Sequence, residues 1–141
     1  MKIKRYLSVA LCVLLMLTLL ACTDKGEEAS VWEDATYTED QSFGKGNKKF
    51  ELEVEAEGKS VVFTIKTNAE FLGEALAEHK LVDGDDGPYG LYIKKVNGIL
   101  ADYDKNGAYW GFYQDGEYMT TGADETLIQS GAKYKVVYEK Q

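Results

Sequence analysis

The residues best suited to chemistry are the oxygen-bearing side chains of an acidic turn that precedes a tyrosine-rich strand. Asp102, Asp104 and Asn106 match the first half of a calcium loop, in which three side-chain oxygens and a sharp glycine turn surround the ion. The twelfth position of such a loop requires a bidentate Glu, but Tyr113 stands there. We therefore interpret the segment as a turn that leads into a strand, and keep the three residues only as a weak candidate metal site.

Tyrosines around a predicted hairpin are the candidate ligand-binding residues. Asp115-Gly116 is a favoured two-residue turn, and it would place Tyr113 opposite Tyr118. Because strand side chains alternate, Tyr109 would share their face, with Gly111 between the rings. Such rings would form a shallow apolar seat for a flat or bulky ligand, with the loop that holds Tyr89 and the start of the next strand as its lip. The predicted set is Tyr89, Tyr92, Tyr109, Tyr113 and Tyr118.

A purely structural role for these tyrosines is the alternative. The rings could stabilise the hairpin as cross-strand pairs, or pack against the loop before it. The same alternation places Trp110, Phe112 and Met119 on the opposite face of the hairpin, where they are predicted to form a wall of the core.

Composition argues against nucleic-acid binding and against catalysis. The chain carries 24 acidic and 16 basic residues, a net charge of −8, without a basic cluster that could follow a phosphate backbone. His79 is the only histidine, and it ends an apolar helical stripe, which favours a packing role. Since no nucleophile, base and orienting acid come together in the sequence, we do not expect an enzyme.

Alternating patterns predict the strands that support this hairpin. Residues 50–57 alternate between apolar and Glu side chains, and residues 60–67 repeat the apolar alternation after a turn at Gly58-Lys59. We expect Lys66, Lys133 and Lys135 to lie opposite the Glu row, which makes a charge ladder the preferred interpretation over a cation site.

The remaining elements indicate an α+β domain. Thr67 and Glu70 have the spacing of a capping box, which predicts a helix that runs to about Lys80 across the inner face of the sheet. Residues 81–90 are predicted to be a loop, and residues 91–96, 108–114 and 133–139 to be strands. The expected fold is a mixed sheet of about four to six strands with one helix packed on one face.

The N-terminus predicts a lipoprotein. Lys2, Lys4 and Arg5 precede an apolar run that ends in Ala21-Cys22, and this resembles a bacterial lipobox in which Cys22 is acylated; simple secretory cleavage is the alternative. We predict a signal peptide at residues 1–21, a flexible acidic tether at 22–47 and the domain at 48–141. Without the signal peptide, 13 basic and 24 acidic residues give a net charge of −11. The predicted location is the outer face of the bacterial cytoplasmic membrane, reached through the lipid on Cys22.

From about Ser60 onwards the chain resembles the transcobalamin C-terminal-like domain family. The resemblance is carried by Gly87-Pro88-Tyr89-Gly90, Val96-Asn97-Gly98, Ala101-Asp102-Tyr103 and Tyr109-Trp110-Gly111-Phe112-Tyr113, with Asp115-Gly116 and the final strand. It implies a β-grasp-like fold, and in transcobalamin and intrinsic factor this domain covers one face of a corrinoid beside a large helical domain that has no counterpart here.

Two functions follow as expectations. The first is a surface-tethered module that binds a corrinoid-like or other small ligand and passes it to a transporter component. The second is a cell-surface protein-interaction or adhesion domain without a small-molecule ligand. No cofactor is predicted, and a corrinoid enters only as a ligand.

Overall fold

The structure is a computed structural model that describes residues 28–141, so the predicted signal peptide and the predicted lipidation site Cys22 lie outside the described residues. Within this range the strands are β1 (Gln41–Phe43), β2 (Lys48–Ala56), β3 (Lys59–Thr67), β4 (Val82–Gly87), β5 (Gly90–Val96), β6 (Ile99–Leu100), β7 (Ala108–Gln114), β8 (Glu117–Tyr118) and β9 (Lys133–Lys140). The helices are α1 (Leu72–Glu78) and α2 (Tyr103–Asn106), with 3-10 turns at Val31–Asp34 and Ala123–Glu125. None of the helices in residues 28–141 is long and apolar enough to cross a membrane.

Two sheets make up the domain. The larger is mixed and has the strand order β1-β3-β2-β9-β7-β8, and the smaller is the three-stranded β4-β5-β6. At the centre of the larger sheet β2 and β9 run parallel, while β3 and β7 flank them antiparallel. A first hairpin, a helix and a returning central strand give the expected β-grasp-like arrangement, and the α+β prediction is confirmed.

The core lies on the inner face of the β2–β3 hairpin. Phe50, Leu52 and Val54 of β2 and Phe63 and Ile65 of β3 are almost fully buried, as the alternation predicted. Helix α1 covers this face with the buried Leu72, Ala75 and Leu76. Complete burial of a side chain of this size contributes about 1.5–3 kcal/mol relative to exposure, so these contacts dominate the stability of the fold.

Glutamates on the outer face of β2 meet lysines of β9. Lys133 lies 3.9 Å from Glu51, and Lys135 lies 3.8 Å from Glu53 and 2.5 Å from Glu55. The hydrogen bond with Glu55 raises the pKa of Lys135. The prediction was wrong for Lys66, which lies opposite Lys49 in the β2–β3 register and not beside the Glu row.

Helix α1 begins later than the proposed capping box would place it. The Thr67 hydroxyl accepts a hydrogen bond from the backbone N–H of Ala69, and the Glu70 N–H donates to Glu74. Phe71 is extended and forms an isolated β-bridge with Leu127, so the helix cannot start before Leu72. A long-range pairing that the local sequence does not reveal therefore overrides the capping signal.

The prediction of a loop at residues 81–90 was wrong in part. Residues Val82–Gly87 form β4, which pairs antiparallel with β5 across an irregularity between Asp83 and Gly84. Four of the six residues of this edge strand are exposed and three of those are Asp, so the strand carries no inward apolar alternation. Its pairing with β5 supplies the backbone hydrogen bonds that its side chains do not predict.

Residues 30–43, which we call the N-terminal strap, pack on the domain and do not form the predicted flexible tether. The Trp32 indole N–H donates to the Ala56 carbonyl at 2.8 Å, and the Asn97 amide donates to the carbonyl of Tyr37 at 2.8 Å. Phe43 lies in β1, which pairs parallel with β3, and its ring contacts Tyr37 and Phe63. Isolated aromatic anchors hold this polar segment, which explains why it shows no periodicity.

Candidate functional site

A groove lies between the smaller sheet and the β7–β8 hairpin. It has a volume of about 230 Å³. Strand β5 forms one wall, the inner side of the hairpin forms the other, and residues 119–123 close it. The lining residues are Leu91, Tyr92, Ile93, Trp110, Phe112, Tyr118, Met119, Thr120, Thr121, Gly122 and Ala123. These side chains are apolar, aromatic or hydroxylic, and none carries a formal charge.

Trp110 forms the deepest part of the hairpin wall. It is only 7% exposed, and its ring makes a T-shaped contact with Tyr138 at a centroid distance of 5.5 Å. The indole N–H is buried and has no hydrogen-bond partner among residues 28–141. A buried donor without a partner costs about 1–3 kcal/mol of free energy.

Phe112 and Met119 continue this wall towards the hairpin tip. Both are partly buried against the core, and the Met119 N–H donates to the Phe112 carbonyl at 2.8 Å. This bond extends the β7–β8 pairing beyond the two residues of β8. The unbranched side chain of a methionine has several rotatable bonds and can fit different neighbours, which suits a wall that contacts a ligand.

The loop that closes the groove is fixed by Asp124. Its carboxylate accepts a hydrogen bond from the Leu91 N–H at 2.8 Å, so the loop is tied to β5. Gly90 allows this approach, because a Cβ there would lie 2.6 Å from the Asp124 carboxylate, and its φ is +98°. The Thr121 and Thr126 hydroxyls lie 3.2 Å apart, which steadies the rest of the loop.

The outer face of the same hairpin carries a tyrosine cluster, which we define as Tyr109, Tyr113 and Tyr118 with Glu139. The Tyr109 and Tyr113 hydroxyls each donate to a different oxygen of the Glu139 carboxylate at 2.7 Å. These bonds raise the pKa of Tyr109 and raise that of Tyr113 to about 12. Tyr118 makes a T-shaped contact with Tyr113 at 5.3 Å, in the predicted β7–β8 register.

The seat predicted around Gly111 is therefore filled. A Cβ on Gly111 would lie 2.6 Å from the Glu139 carboxylate, which shows that this side chain lies directly over the glycine. The Tyr109 and Tyr113 hydroxyls are hydrogen-bonded to the protein. A glycine at position 111 leaves room for the Glu139 carboxylate, whereas the sequence predicted that this space would be part of a seat for a ligand.

The five predicted tyrosines separate into three locations. Tyr92 and Tyr118, which are 56% and 60% exposed, line the groove, and Tyr118 also contacts Tyr113 of the tyrosine cluster. Tyr109 and Tyr113 lie on the outer face with Glu139. Tyr89 is 82% exposed at the β4–β5 turn and does not line the groove.

Several residues of the groove were not predicted to bind a ligand. Trp110, Phe112 and Met119 were predicted only as a wall of the core, and Leu91, Ile93 and residues 120–123 were not predicted as site residues. The alternation in β5 and the run of small residues after β8 were the signals that could have indicated them.

The weak metal candidates have structural roles. The Asp102 carboxylate accepts hydrogen bonds from the backbone N–H groups of Asp104 and Lys105, and so caps α2. The Asn106 side-chain carbonyl accepts from the Ala108 N–H. Between residues 28 and 141, no three His, Cys, Asp or Glu side chains are grouped so that they could hold a metal ion.

His79 packs in the core margin, as its place on the helical stripe suggested. Its ring stacks on Phe43 at a centroid distance of 5.4 Å and an interplanar angle of 22°. The imidazole is 19% exposed, and its Nε2 lies 3.9 Å from the Glu78 carboxylate. It lies against the N-terminal strap and is not a lining residue of the groove.

Comparisons with known proteins agree with the α+β fold described above. The model of the family described as "Domain of unknown function (DUF4430)" matches residues 69–140, which include every residue that lines the groove. A crystal structure from Ruminococcus gnavus, of a protein provisionally described as metal-binding, is 32% identical with a TM-score of 0.63, and the match covers 67% of this chain and 99% of that one. Comparison with curated protein sequences found no match.

Haptocorrin in complex with Cbi is a more distant structural relative. It is 18% identical with a TM-score of 0.50, and the match covers 70% of this chain but 26% of haptocorrin. At this identity the likeness shows the fold alone, and the chain corresponds to about a quarter of the haptocorrin chain.

Proposed function

We propose that this chain, which belongs to the DUF4430 family of domains of unknown function, is a ligand-binding module held at the cell surface. The observation that carries the proposal is the groove between β5 and the β7–β8 hairpin, with a buried and unpartnered indole N–H in its wall. The groove takes a flat, largely apolar edge or substituent of the ligand. The module then passes this ligand to a transporter component.

The composition of the groove fits binding better than catalysis. Ligand sites are mostly apolar and aromatic, with a few polar groups that set orientation. The lining side chains include two threonine hydroxyls, two tyrosine hydroxyls and a buried indole N–H, but no carboxylate, imidazole, thiol or amine. General acid–base and nucleophilic catalysis use such groups, so we propose a non-enzymatic role.

The size of the groove limits how much of a ligand it covers. Sites that enclose a drug-sized molecule have volumes of about 300–1,000 Å³, and this groove has about 230 Å³. We therefore propose that it holds one edge or one substituent of a larger molecule. A corrinoid-like ligand is the preferred class, supported by the transcobalamin-like motifs around Tyr89 and Tyr109 and by a fold shared with haptocorrin, whose structure holds Cbi.

The membrane attachment is a separate part of the proposal. Ala21-Cys22 after an apolar run supports acylation of Cys22 and location on the outer face of the bacterial cytoplasmic membrane. Its test is mass spectrometry of the membrane fraction: the chain should begin at Cys22 and carry added acyl mass. A chain that begins elsewhere, or an unmodified Cys22, would contradict the lipoprotein assignment.

Ligand binding is tested by titration of the purified chain with cobinamide and with cobalamin, followed by calorimetry or absorbance. Tyr92→Ala should weaken binding by about tenfold, since loss of one well-placed aromatic contact costs of the order of 1.4 kcal/mol. Tyr89→Ala is the matched control, because this tyrosine is in the same β4–β5 hairpin, is more exposed and does not line the groove. Absence of binding by either corrinoid at high micromolar concentration would rule out that ligand class, and equal loss in both variants would rule out the groove.

A further inference from the structure

The N-terminal strap begins at one end of the β2–β3 hairpin. The Ser30 hydroxyl donates to the Glu57 carboxylate at 2.6 Å, and the Trp32 indole bonds to the Ala56 carbonyl. Ala56 and Glu57 are the last residue of β2 and the first of the turn. The chain that arrives from Cys22 therefore joins the domain at the β2–β3 turn.

From there the strap runs along the sheet to the opposite end of the same hairpin. Gln41 pairs with Phe63 and Phe43 with Ile65 in the parallel β1–β3 ladder. Gly46 then approaches the Thr67 backbone, where a Cβ would lie 2.2 Å from the Thr67 carbonyl carbon. Because Ala56 pairs with Lys59 and Lys48 with Thr67, the two ends of the hairpin are eight residue steps apart, about 26 Å at the usual rise of a strand.

The tip of the β7–β8 hairpin lies at this second end. Asp115 lies in the turn of this hairpin. Its backbone N–H donates to the Lys133 carbonyl at 2.8 Å, and its carboxylate accepts from the Lys133 backbone N–H at 3.0 Å. Lys133 in turn lies opposite Glu51 near the start of β2. Gly111 lies opposite Val137 of β9, and Val137 lies opposite Glu55 of β2, so β7 starts near the first end of the β2–β3 hairpin and runs towards the second.

The distance from the lipid to the domain is short. Eight residue steps separate Cys22 from Ser30, the first residue of the strap, and even a fully extended chain spans at most about 3.6 Å per residue, so about 29 Å. A free segment over residues 22–47 would have allowed about three times that reach. The strap thus removes most of the length that would otherwise let the domain turn over relative to the lipid.

We infer that the N-terminal strap orients the domain on the membrane, with the β2–β3 turn towards the bilayer and the tip of the β7–β8 hairpin directed away from it. The inference rests on the acylation of Cys22 within the proposed function, and it does not depend on which ligand the groove binds.

Lys59 and Lys45 provide a matched pair of probe sites for this orientation. Both lysines are exposed. Lys59 lies next to the β2–β3 turn, and Lys45 lies near the opposite end of the hairpin. Because both residues are lysines, Lys59→Cys and Lys45→Cys change the charge equally. Once Cys22 is acylated and Cys12 has left with the signal peptide, the introduced thiol is the only free thiol in the chain. Each acylated variant is labelled with a fluorescent donor and placed on phosphatidylcholine vesicles that carry a headgroup-labelled acceptor.

Energy transfer to the bilayer should be several-fold stronger from position 59 than from position 45. A Gly-Ser insertion between Cys22 and Glu28, as long as the strap, should reduce this difference. Equal transfer from both positions, stronger transfer from position 45, or a difference that the insertion leaves unchanged would each overturn the orientation. A second reactive thiol, located at Cys22 by mass spectrometry, would overturn the lipid attachment itself and the orientation with it, while ligand binding in the groove would stand.

Discussion

The two faces of the β7–β8 hairpin are built from the same strand but have opposite characters. On the outer face, the Tyr109 and Tyr113 hydroxyls and the two oxygens of Glu139 satisfy one another. On the inner face, the Trp110 indole N–H has no hydrogen-bond partner among residues 28–141, and the ring lines the groove. Side chains that are rich in hydrogen-bonding groups therefore do not by themselves mark a binding site; the groups must also be left free.

Loss of the inner wall should have the largest effect. Trp110→Ala removes a ring that is almost fully buried and contacts Tyr138, so we expect the free energy of unfolding to fall by about 3–5 kcal/mol. Urea denaturation followed by circular dichroism measures this change. Trp110→Phe retains a ring and should lose less than half as much, and a loss below about 1 kcal/mol for the alanine variant would show that Trp110 is not part of the core.

Disruption of the outer face should cost less and leave the groove intact. Gly111→Ala places a Cβ where the Glu139 carboxylate lies, and displacement of that flexible side chain breaks both tyrosine bonds, at about 1–2 kcal/mol of unfolding free energy. Glu139→Ala should cost a similar amount, and the double variant should cost little more, since both changes remove the same bonds. Full additivity of the two losses, or weakened cobinamide binding in Gly111→Ala, would contradict the separation of the two faces.

The outer face should also lose stability at alkaline pH. In the folded chain the pKa of Tyr113 is raised from 10.0 to about 12, chiefly by its hydrogen bond to Glu139. The folded state therefore keeps a proton that the unfolded chain releases, so this contribution is complete below pH 10 and is lost as the pH rises towards 12. Urea midpoints measured across this range should fall less steeply for Tyr113→Phe than for the unmodified chain, and identical slopes would contradict the assignment.

Tyr118→Ala should have the smallest effect on stability. Its ring is more than half exposed, and its contact with Tyr113 is worth about 0.5–1.5 kcal/mol at most. Because Tyr118 also borders the groove, the same change should weaken cobinamide binding measurably, although less than Tyr92→Ala. A larger loss of stability than in Gly111→Ala would reverse the order that we expect.

The hairpins could be predicted because their signals are local. Phe50 to Ala56 alternate with glutamates, which fixes the buried face of β2. Asp115-Gly116 sets the register of Tyr113 and Tyr118, and both turn residues have the positive φ that this turn requires. These signals depend on the neighbouring residues and remain valid whatever the rest of the chain does.

The groove and the filled seat could not be predicted, because both depend on pairings that are distant in the sequence. Glu139 reaches Tyr109 only because β9 lies beside β7, and β5 faces Trp110 only through the packing of a second sheet. The N-terminal strap escaped prediction for the same reason, since Trp32 and Tyr37 find their partners at Ala56 and Asn97. A polar segment with isolated aromatic residues has the composition of a tether whether or not such partners exist.

The most direct test of the groove as the binding site uses the two tryptophans of the chain, Trp32 and Trp110. In a proton–nitrogen correlation spectrum each gives one indole N–H signal, and Trp32 serves as an internal reference because its N–H is already bonded to Ala56. Titration with cobinamide should shift the Trp110 signal and leave the Trp32 signal in place. If cobinamide binds while the Trp110 signal stays unchanged and the backbone signals of Tyr109 to Tyr113 shift only on the outer-face residues, the ligand occupies the tyrosine cluster and the account is wrong.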